Sequence, residues 1–243
     1  MNEQETQTIA EILHKHHPVV SARKSKLEIC PECKQKTELG LFGVCVKCHR
    51  RRSFSALPLE EKQRMFEDVV QKRYISAECS DLSEKLLEKI GALPEDKGLF
   101  LWGKPGVGKT YAMAALAKKA IRLGNIVKRI SYEMLCLKLR DTFKKNSKNT
   151  EYEIIEPLLN ADLLLIEDIG TTKSEGNIES DFSVRTLLVI LDWRIEHCLP
   201  TNITTNRPIE ELGKTFDQRI ASRLVQACEI IKLSGEDKRC TKV

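Results

Sequence analysis

The 243-residue sequence lacks long apolar runs, an export signal and a strong excess of one charge. No apolar run approaches the roughly 18 residues that a membrane-spanning helix needs, which argues against a membrane protein. The first residues, Met1 to Glu5, are polar and acidic, so they form no secretory signal and predict a cytoplasmic protein. The 40 Lys and Arg residues barely outnumber the 35 Asp and Glu residues, so only the distribution of charge can indicate a partner.

Length and composition indicate one large domain, or a domain with a small appendage. Hydrophobic residues make up 41% of the chain, which is enough for a packed core. In a cytoplasmic protein the nine cysteines are not expected to form disulfides. Clustered spacing among them therefore points to a metal.

The sequence is organised around the stretch from Gly98 to Thr110. The apolar residues Leu99 to Trp102 predict a buried parallel strand, and Gly103 to Thr110 then matches the phosphate-loop pattern G-x-x-x-x-G-K-[ST] at every fixed position. Residues Tyr111 to Leu123 predict the helix that follows such a loop. A chance match in a glycine-rich turn is the alternative, and the flanking strand and helix argue against it.

The loop predicts a nucleoside triphosphate and Mg²⁺ as ligands. Its glycines let successive N–H groups converge on an anion. Lys109 is placed to reach the β- and γ-phosphates, and the Thr110 hydroxyl is placed for Mg²⁺ at the start of a helix whose dipole favours negative charge. ATP is favoured over GTP because no guanine-reading N-K-x-D motif follows. The predicted nucleotide-binding residues are Gly103, Lys104, Pro105, Gly106, Val107, Gly108, Lys109, Thr110 and Tyr111.

Further strand-like runs alternate with helical stretches after the loop. They lie at Ile126–Ile130, Asp162–Glu167, Thr201–Thr205 and Glu229–Leu233. This alternation predicts an α/β fold with a central parallel five-stranded sheet, covered by helices on both faces. The active site is then expected at the carboxyl ends of the strands.

A second catalytic element is predicted where an apolar strand ends in Glu167 and Asp168. In a Walker B segment one acid holds Mg²⁺ through its water shell, and the next polarises the attacking water. By position, Glu167 takes the metal and Asp168 takes the water. The usual order is Asp then Glu, and Asp168 is one methylene shorter than the usual base, so we expect slow hydrolysis or shared roles. Acids that simply cap a strand are the alternative, which the upstream phosphate loop disfavours.

A third element is Asn206, which follows the strand that begins at Thr201. If that strand lies beside the phosphate-loop strand, the Asn206 side chain would reach the γ-phosphate or the attacking water. A simple turn before Pro208 is the alternative.

Four cysteines form two pairs with metal-site spacing: Cys30, Cys33, Cys45 and Cys48. Two C-x-x-C pairs can close a tetrahedral thiolate site around Zn²⁺, and Gly40 and Gly43 supply a turn between them. Four thiolates leave no open coordination position, so the predicted role is structural. The alternatives are unrelated surface cysteines and a c-type haem site, because His49 follows the second pair. Haem attachment normally requires export and leaves the first pair unexplained.

Positive charge is concentrated around these cysteines. Between Arg23 and Arg52 there are nine Lys or Arg residues against three Glu residues. This surface could follow nucleic-acid phosphates, meet an acidic protein surface, or simply be solvated. Only Phe42 and Phe54 are available for base stacking, so recognition of a base sequence is not predicted.

The order of the motifs resembles one protein family. The phosphate loop is followed by Glu167-Asp168-Ile-Gly, by Thr-Thr-Asn206-Arg-Pro and by Asp217-Gln-Arg219-Ile-Ala-Ser-Arg223-Leu. Together these segments resemble the DnaC/DnaI group of AAA+ replicative helicase loaders, which includes the IstB-like transposition helpers. With this resemblance, we predict a zinc-ribbon domain at residues 1–56, a linker helix at 57–73 and an AAA+ P-loop ATPase domain at 74–243.

The resemblance implies roles for individual residues. Asn206 corresponds to sensor 1, and Arg239 lies where these loaders carry sensor 2. Arg223, or in second place Arg219, is implied to be the arginine finger that one subunit presents to the γ-phosphate of its neighbour. Activity would then depend on self-association into an oligomer or filament. A surface ion pair is the alternative for both arginines, which lie four residues apart on one helical face.

Two further segments receive roles from the resemblance. The segment from Tyr74 to Asp81 is implied to be a strand against the adenine, with Ile75 as a candidate for base contact. The stretch from Ser131 onward is implied to hold single-stranded DNA, and a solvated face is the alternative. Its cations are Lys138, Arg140, Lys144, Lys145 and Lys148, with Asp141 opposing them.

These features lead us to expect an ATP-dependent loader of a replicative DNA helicase. It would bind ATP, Mg²⁺ and single-stranded DNA, and its zinc module would engage the helicase or DNA. The alternatives are an IstB-like transposition helper ATPase, whose partner is a transposase, and a nucleotide-gated DNA-binding adaptor with little hydrolysis. A small-molecule P-loop kinase is disfavoured by the arginine-bearing helix and the basic segment. No membrane partner is expected.

Overall fold

A computed structural model describes residues 27–37, 44–144, 147–170, 181–215 and 217–239. Gly40, Phe42, Gly43 and Lys145, which enter the sequence-based predictions, lie outside these ranges. Among the described helices, none combines the length and apolar character needed to cross a bilayer.

The N-terminal part of the described chain combines a short hairpin with three helices. Strands β1 (Glu28–Ile29) and β2 (Lys36–Thr37) pair antiparallel. The helices are α1 (Val46–Ala56), α2 (Leu59–Glu67) and α3 (Glu84–Gly91). Two 3₁₀ turns, Lys72–Tyr74 and Cys79–Asp81, lie between α2 and α3.

The rest of the chain alternates strands with helices. The strands are β3 (Gly98–Trp102), β4 (Val127–Ser131), β5 (Leu163–Glu167), β6 (Thr201–Thr205) and β7 (Cys228–Lys232). The helices are α4 (Lys109–Arg122), α5 (Tyr132–Asp141), α6 (Glu151–Leu159), α7 (Asp181–Glu196), α8 (Ile209–Thr215) and α9 (Gln218–Ala227).

Strands β3 to β7 form one parallel sheet in the order β4-β5-β6-β3-β7, which confirms the predicted five-stranded sheet. Alternate strand residues pack into two apolar cores, one on each face. One core joins Phe100, Leu164 and Ile203 to helices α5 to α9. The other joins Leu101 and Leu165 to α4 and to the N-terminal helices.

Strand β6 differs from the others because most of its buried side chains are polar. These side chains have partners. Oδ1 of Asn202 accepts a hydrogen bond from the N–H of Leu99 (2.8 Å), and Oγ1 of Thr205 donates to the carbonyl of Ile169 (2.6 Å). The polar groups therefore fix the position of β6 between its neighbours rather than weakening the core.

The structure differs from the sequence-based predictions between Ser53 and Asp81. Within the predicted linker helix at 57–73 the structure has α2 at Leu59–Glu67, and α1 continues to Ala56 just before it, where Phe54 packs against Phe66 with ring centroids 5.7 Å apart. The adenine-side segment forms 3₁₀ turns rather than a strand. The carbonyls of Ile75 and Ala77 accept hydrogen bonds from Nζ of Lys118 (2.6 and 3.0 Å) instead of strand hydrogen bonds.

Candidate nucleotide-binding site

The phosphate loop connects β3 to the N-terminus of α4. Gly106 and Gly108 have φ values of 80° and 101°, a left-handed backbone that glycine adopts without steric cost. Gly108 is the N-cap of α4, so the loop ends where free N–H groups and the helix dipole favour an anion. The local sequence therefore builds a backbone site for phosphate.

Lys109 joins the loop to the neighbouring strand. Its Nζ donates to the carbonyls of Gly103 (2.8 Å) and Lys104 (2.9 Å) and to Oδ1 of Asn206 (2.8 Å). Asn206 reaches the loop because β6 lies directly beside β3. Burial lowers the pKa of Lys109, while the Asp168 carboxylate acts in the opposite direction.

A cavity of about 660 Å³ opens beside the loop. It brings together nine of the residues that the sequence singled out: Pro105, Gly106, Gly108, Lys109, Thr110, Tyr111, Asp168, Asn206 and Arg239. The cavity lies at the carboxyl ends of β3, β5 and β6, the edge of the sheet at which α/β proteins bind ligands. Gly103, Lys104 and Val107 belong to the loop without lining the cavity.

The two acids after β5 lie in different environments. Asp168 lines the cavity and has a φ of 58°, and its backbone N–H donates a hydrogen bond to Oγ1 of Thr204 (3.1 Å). Glu167 is 3% exposed and pairs through its carboxylate with Arg129 on β4. Burial raises the pKa of Glu167, and the Arg129 guanidinium opposes this shift. Asp168 is thus the acid that faces the cavity.

The cavity also contains oxygen donors that fit Mg²⁺. Thr110 and Asp168 both line it, and hydroxyl and carboxylate oxygens are ligands that this hard cation accepts. Glu167 adjoins them but is held by Arg129. These oxygen donors are therefore suitable for Mg²⁺ that binds together with a nucleotide.

The two finger candidates lie outside the cavity on helix α9. Arg219 pairs with the N-cap residue Asp217, with Nη2 and Oδ2 2.7 Å apart, and its side chain is 73% exposed. Arg223 pairs with Asp192 of α7 and is 44% exposed. Both guanidiniums therefore lie at the surface, each in an ion pair.

The cavity has further lining residues: Arg73 and Lys238 were missed by the sequence reasoning, whereas three others belong to the segment from Tyr74 to Asp81 that was predicted to lie against the adenine. The additional lining residues are Arg73, Tyr74, Ser76, Asp81 and Lys238. The Arg73 guanidinium lies 4.9 Å from the Tyr74 ring centre, and Asp81 accepts a hydrogen bond from the Tyr111 hydroxyl (2.5 Å). Ile75 instead packs on the apolar core. Packing of the 3₁₀ turns against α4 brings Arg73, Tyr74, Ser76 and Asp81 to the cavity, and Lys238 reaches it from the segment after β7.

The four cysteines form a second site. Sγ of Cys30 lies 3.8 Å from that of Cys48, and Sγ of Cys33 lies 3.7 Å from that of Cys45. Zn–S bonds of about 2.3 Å in a tetrahedron give S–S separations of about 3.8 Å, so the cluster fits Zn²⁺. The N–H groups of Cys33 and Cys45 lower the pKa of the Cys30 thiol to about 6, whereas burial raises the pKa of the Cys48 thiol, and a metal would need both as thiolates. The β1–β2 turn presents one pair, and the start of α1 presents the other.

The sequence matches a family described as "IstB-like ATP binding protein" over residues 47–242. It is 32% identical over 122 residues to the replicative helicase loader DnaC of Escherichia coli (strain K12), which covers 50% of this chain and 47% of that protein. It is 26% identical over 159 residues to the replicative helicase loader DnaI of Bacillus subtilis (strain 168), which covers 59% of this chain and 48% of that protein. The chain thus spans about half the length of these curated relatives.

The fold is also similar to solved structures. A crystal structure of DnaI matches 72% of this chain and 100% of its own with a TM-score of 0.59 at 22% sequence identity. At this identity the likeness concerns the fold alone. It confirms the predicted fold class, an AAA+ P-loop arrangement with a parallel five-stranded sheet and a preceding cysteine module.

Proposed function

Because the chain belongs to the IstB-like ATP-binding protein family, we propose that it is an ATPase that loads a replicative DNA helicase. The observation that carries the ATPase assignment is the convergence of Lys109, Asn206 and Asp168 on one cavity at the phosphate loop. The assignment to helicase loading is supported by the names of the relatives DnaC and DnaI.

We assign the binding step to the loop and Lys109. Loop N–H groups and the α4 dipole hold the phosphates, and Lys109 exchanges the carbonyls of Gly103 and Lys104 for phosphate oxygens. Thr110 and the acidic pair would hold Mg²⁺, which would supply positive charge against the phosphates. The side of the cavity formed by Arg73, Tyr74 and Tyr111 receives the adenosine.

We assign the hydrolytic step to the residues at the ends of β5 and β6. Asp168, the acid in the cavity, orients and polarises the attacking water. Asn206, whose Oδ1 accepts a hydrogen bond from Lys109, moves with the lysine side chain and contacts the γ-phosphate or the attacking water. Glu167 adjoins the metal site from its buried position, where the ion pair with Arg129 fixes its carboxylate.

Assembly and partners complete the proposal. Arg223, or Arg219, acts in the site of a neighbouring subunit within an oligomer or filament. Single-stranded DNA is held by exposed cations of the α5 region, such as Lys138 and Arg140. The ATPase domain comprises residues 74–243, and residues 57–73 connect it to the zinc module of residues 1–56, which meets the helicase.

The ATPase assignment is tested by turnover with and without single-stranded DNA. We expect Lys109→Ala to abolish ATP binding and hydrolysis. Lys104→Ala is the matched control, because this exposed lysine in the same loop contributes only its carbonyl to the Lys109 contacts. Equal activity of Lys109→Ala and Lys104→Ala contradicts the assignment.

The loading assignment is tested by the transfer of a replicative helicase onto closed circular single-stranded DNA. ATP and the full chain should be required together. Hydrolysis without transfer, combined with binding to a transposase, supports the transposition-helper alternative that the family description raises. ATP and DNA binding with little hydrolysis supports the adaptor alternative.

A further inference from the structure

The segment that follows β7 runs along the phosphate loop. The N–H of Leu233 donates to the carbonyl of Trp102 (2.8 Å), and the N–H of Lys238 donates to the carbonyl of Gly106 (3.2 Å). A Cβ built on Gly103 would lie 2.1 Å from the carbonyl oxygen of Leu233. We name residues 233–239 the tail. Because the tail lies so close to the loop, a side chain does not fit at position 103, so this contact requires glycine there in addition to the turn of the loop backbone.

A carboxylate of the tail also lies against the loop. A Cβ built on Gly106 would lie 1.8 Å from Oδ1 of Asp237, so this side chain rests directly on the loop backbone. Asp237 is half-buried, whereas its neighbours Glu236 and Lys238 are exposed. The N–H of Arg239 donates to Oδ1 of Asp237 (2.9 Å), which fixes the orientation of the carboxylate.

Two cations follow the carboxylate directly. Nζ of Lys238 lies 3.8 Å from the position of a Cβ on Gly108, at the N-terminus of α4. Both Lys238 and Arg239 line the cavity that also contains Lys109. The tail therefore places the negative charge of Asp237 against the loop and the positive charges of Lys238 and Arg239 in the cavity where phosphates are expected.

On the basis of the proposed nucleotide site, we propose that Asp237 is a positioning residue that clasps the tail to the loop and opposes the terminal phosphate of an incoming triphosphate. A site built to attract anions already has a carboxylate beside it, and like charges repel at this range. Binding of ATP displaces the Asp237 carboxylate and the Lys238 N–H from Gly106, while the side chains of Lys238 and Arg239, which already line the cavity, stay within reach of the phosphates. The tail thereby distinguishes nucleotides by their terminal charge.

Asp237→Asn tests this role because the amide keeps the Oδ1 acceptor for Arg239 and removes only the charge. We expect it to bind ATP about fivefold more tightly and ADP about twofold more tightly, with a difference that shrinks as salt is added. Asp237→Glu, which keeps the charge, should not show the gain. Glu236→Gln is the matched control, because it removes the same charge from the exposed neighbouring residue.

Hydrogen exchange of the Lys238 amide provides a second readout on the full chain. Because this N–H donates to Gly106, ATP should accelerate its exchange in the unaltered protein as the tail leaves the loop. Equal ATP affinities of the Asp237→Asn and Glu236→Gln variants, or an unchanged Lys238 exchange rate on ATP binding, overturn the clasp and leave the nucleotide site standing. Failure of the unaltered protein to bind ATP overturns both.

Discussion

Arg194 is the most completely buried charge among the residues that the structure describes. It is 1% exposed and donates to the carbonyls of Leu158, Leu159, Ala161 and Pro200 and to Oγ1 of Thr201, at 2.8 to 3.0 Å. Burial lowers its pKa to about 10, so it stays charged at neutral pH. One side chain therefore joins the end of α6 to the start of β6.

Replacing Arg194 with methionine leaves its acceptors buried without donors. We expect the free energy of unfolding to fall by about 3–5 kcal/mol, the usual cost of breaking a buried charged network on one side. Arg185→Met, at an exposed position of the same helix, should change it by less than about 0.5 kcal/mol. Urea unfolding of both variants measures the difference, and similar midpoints contradict the prediction.

Asp168 is expected to matter for turnover rather than for nucleotide binding. Asp168→Asn keeps the side-chain shape and removes the base, so kcat should fall by about 10²-fold or more while ATP affinity stays close to that of the unaltered protein. Single-turnover hydrolysis and equilibrium binding separate the two quantities. If Glu167→Gln proves far more damaging to hydrolysis than Asp168→Asn, the two acids have the opposite roles.

The Glu78 carboxylate should make the free energy of unfolding depend on pH. Hydrogen bonds from Arg122 lower its pKa to about 2, and Lys118 adds a second contact. Because the folded-state pKa lies below the unfolded value, the stabilisation is present above the unfolded pKa and is lost as the pH falls from about 5 toward 2. Urea unfolding at several pH values should show a weaker acid dependence for Glu78→Gln. An identical pH profile contradicts this prediction.

At the scale of elements, patterns of apolar residues predicted the sheet well. The five strands lie within one residue of the predicted bounds. Strands β3 and β5 are the continuous apolar runs typical of buried parallel strands, whereas β6 is mostly polar. The phosphate loop was equally visible, since its glycines and Lys109 follow fixed spacing. These features are local, so that the sequence alone determines them.

Features that depend on tertiary contacts could not be predicted in the same way. The turns around Glu78 replace a strand because Lys118 of α4 takes their carbonyls, a contact between residues about 40 positions apart. The Glu167–Arg129 pair, which turns one acid away from the cavity, depends on the register of β4 against β5. The Asp237 contact likewise requires the order of β3 and β7 in the sheet.

Helix α1 connects the cysteine site to the body of the protein. It carries Cys48 at one end and the core residue Phe54 at the other, and Nη1 of Arg50 lies 2.6 Å from Oδ2 of Asp162. Gly124 meets the α1 backbone so closely that a Cβ there would lie 2.6 Å from the carbonyl oxygen of Lys47. The cysteine module is therefore packed on the α/β core rather than tethered to it.

Removal of the metal should consequently destabilise the whole chain. We expect a chelator to lower the Tm by about 5 °C, because loss of the cysteine site frees α1 and exposes apolar core. Cys45→Ala should reproduce the shift, and Cys198→Ala, at an exposed cysteine outside the cluster, should not. An unchanged Tm after verified loss of metal indicates that α1 is held by its core contacts alone.

At the scale of the whole molecule, hydrolysis should require contact between subunits. The cavity contains the binding residues and Asp168, while the finger candidates lie on the exposed face of α9. The proposed head-to-tail interface would bring α9 to the next cavity and add an arginine to the cations already there. Specific activity should therefore rise with protein concentration.

A mixing experiment tests this geometry. Arg223→Ala should lower kcat by about 10³-fold and keep ATP affinity, because the finger acts on the transition state in a neighbouring site. In an equal mixture with Asp168→Asn, about one interface in four joins an intact acid to an intact arginine, so activity should return to roughly that fraction. Arg219→Ala, mixed in the same way, decides which arginine acts. If neither mixture gains activity over its separate components, the arginines do not act between subunits, and their pairs with Asp192 and Asp217 are surface ion pairs.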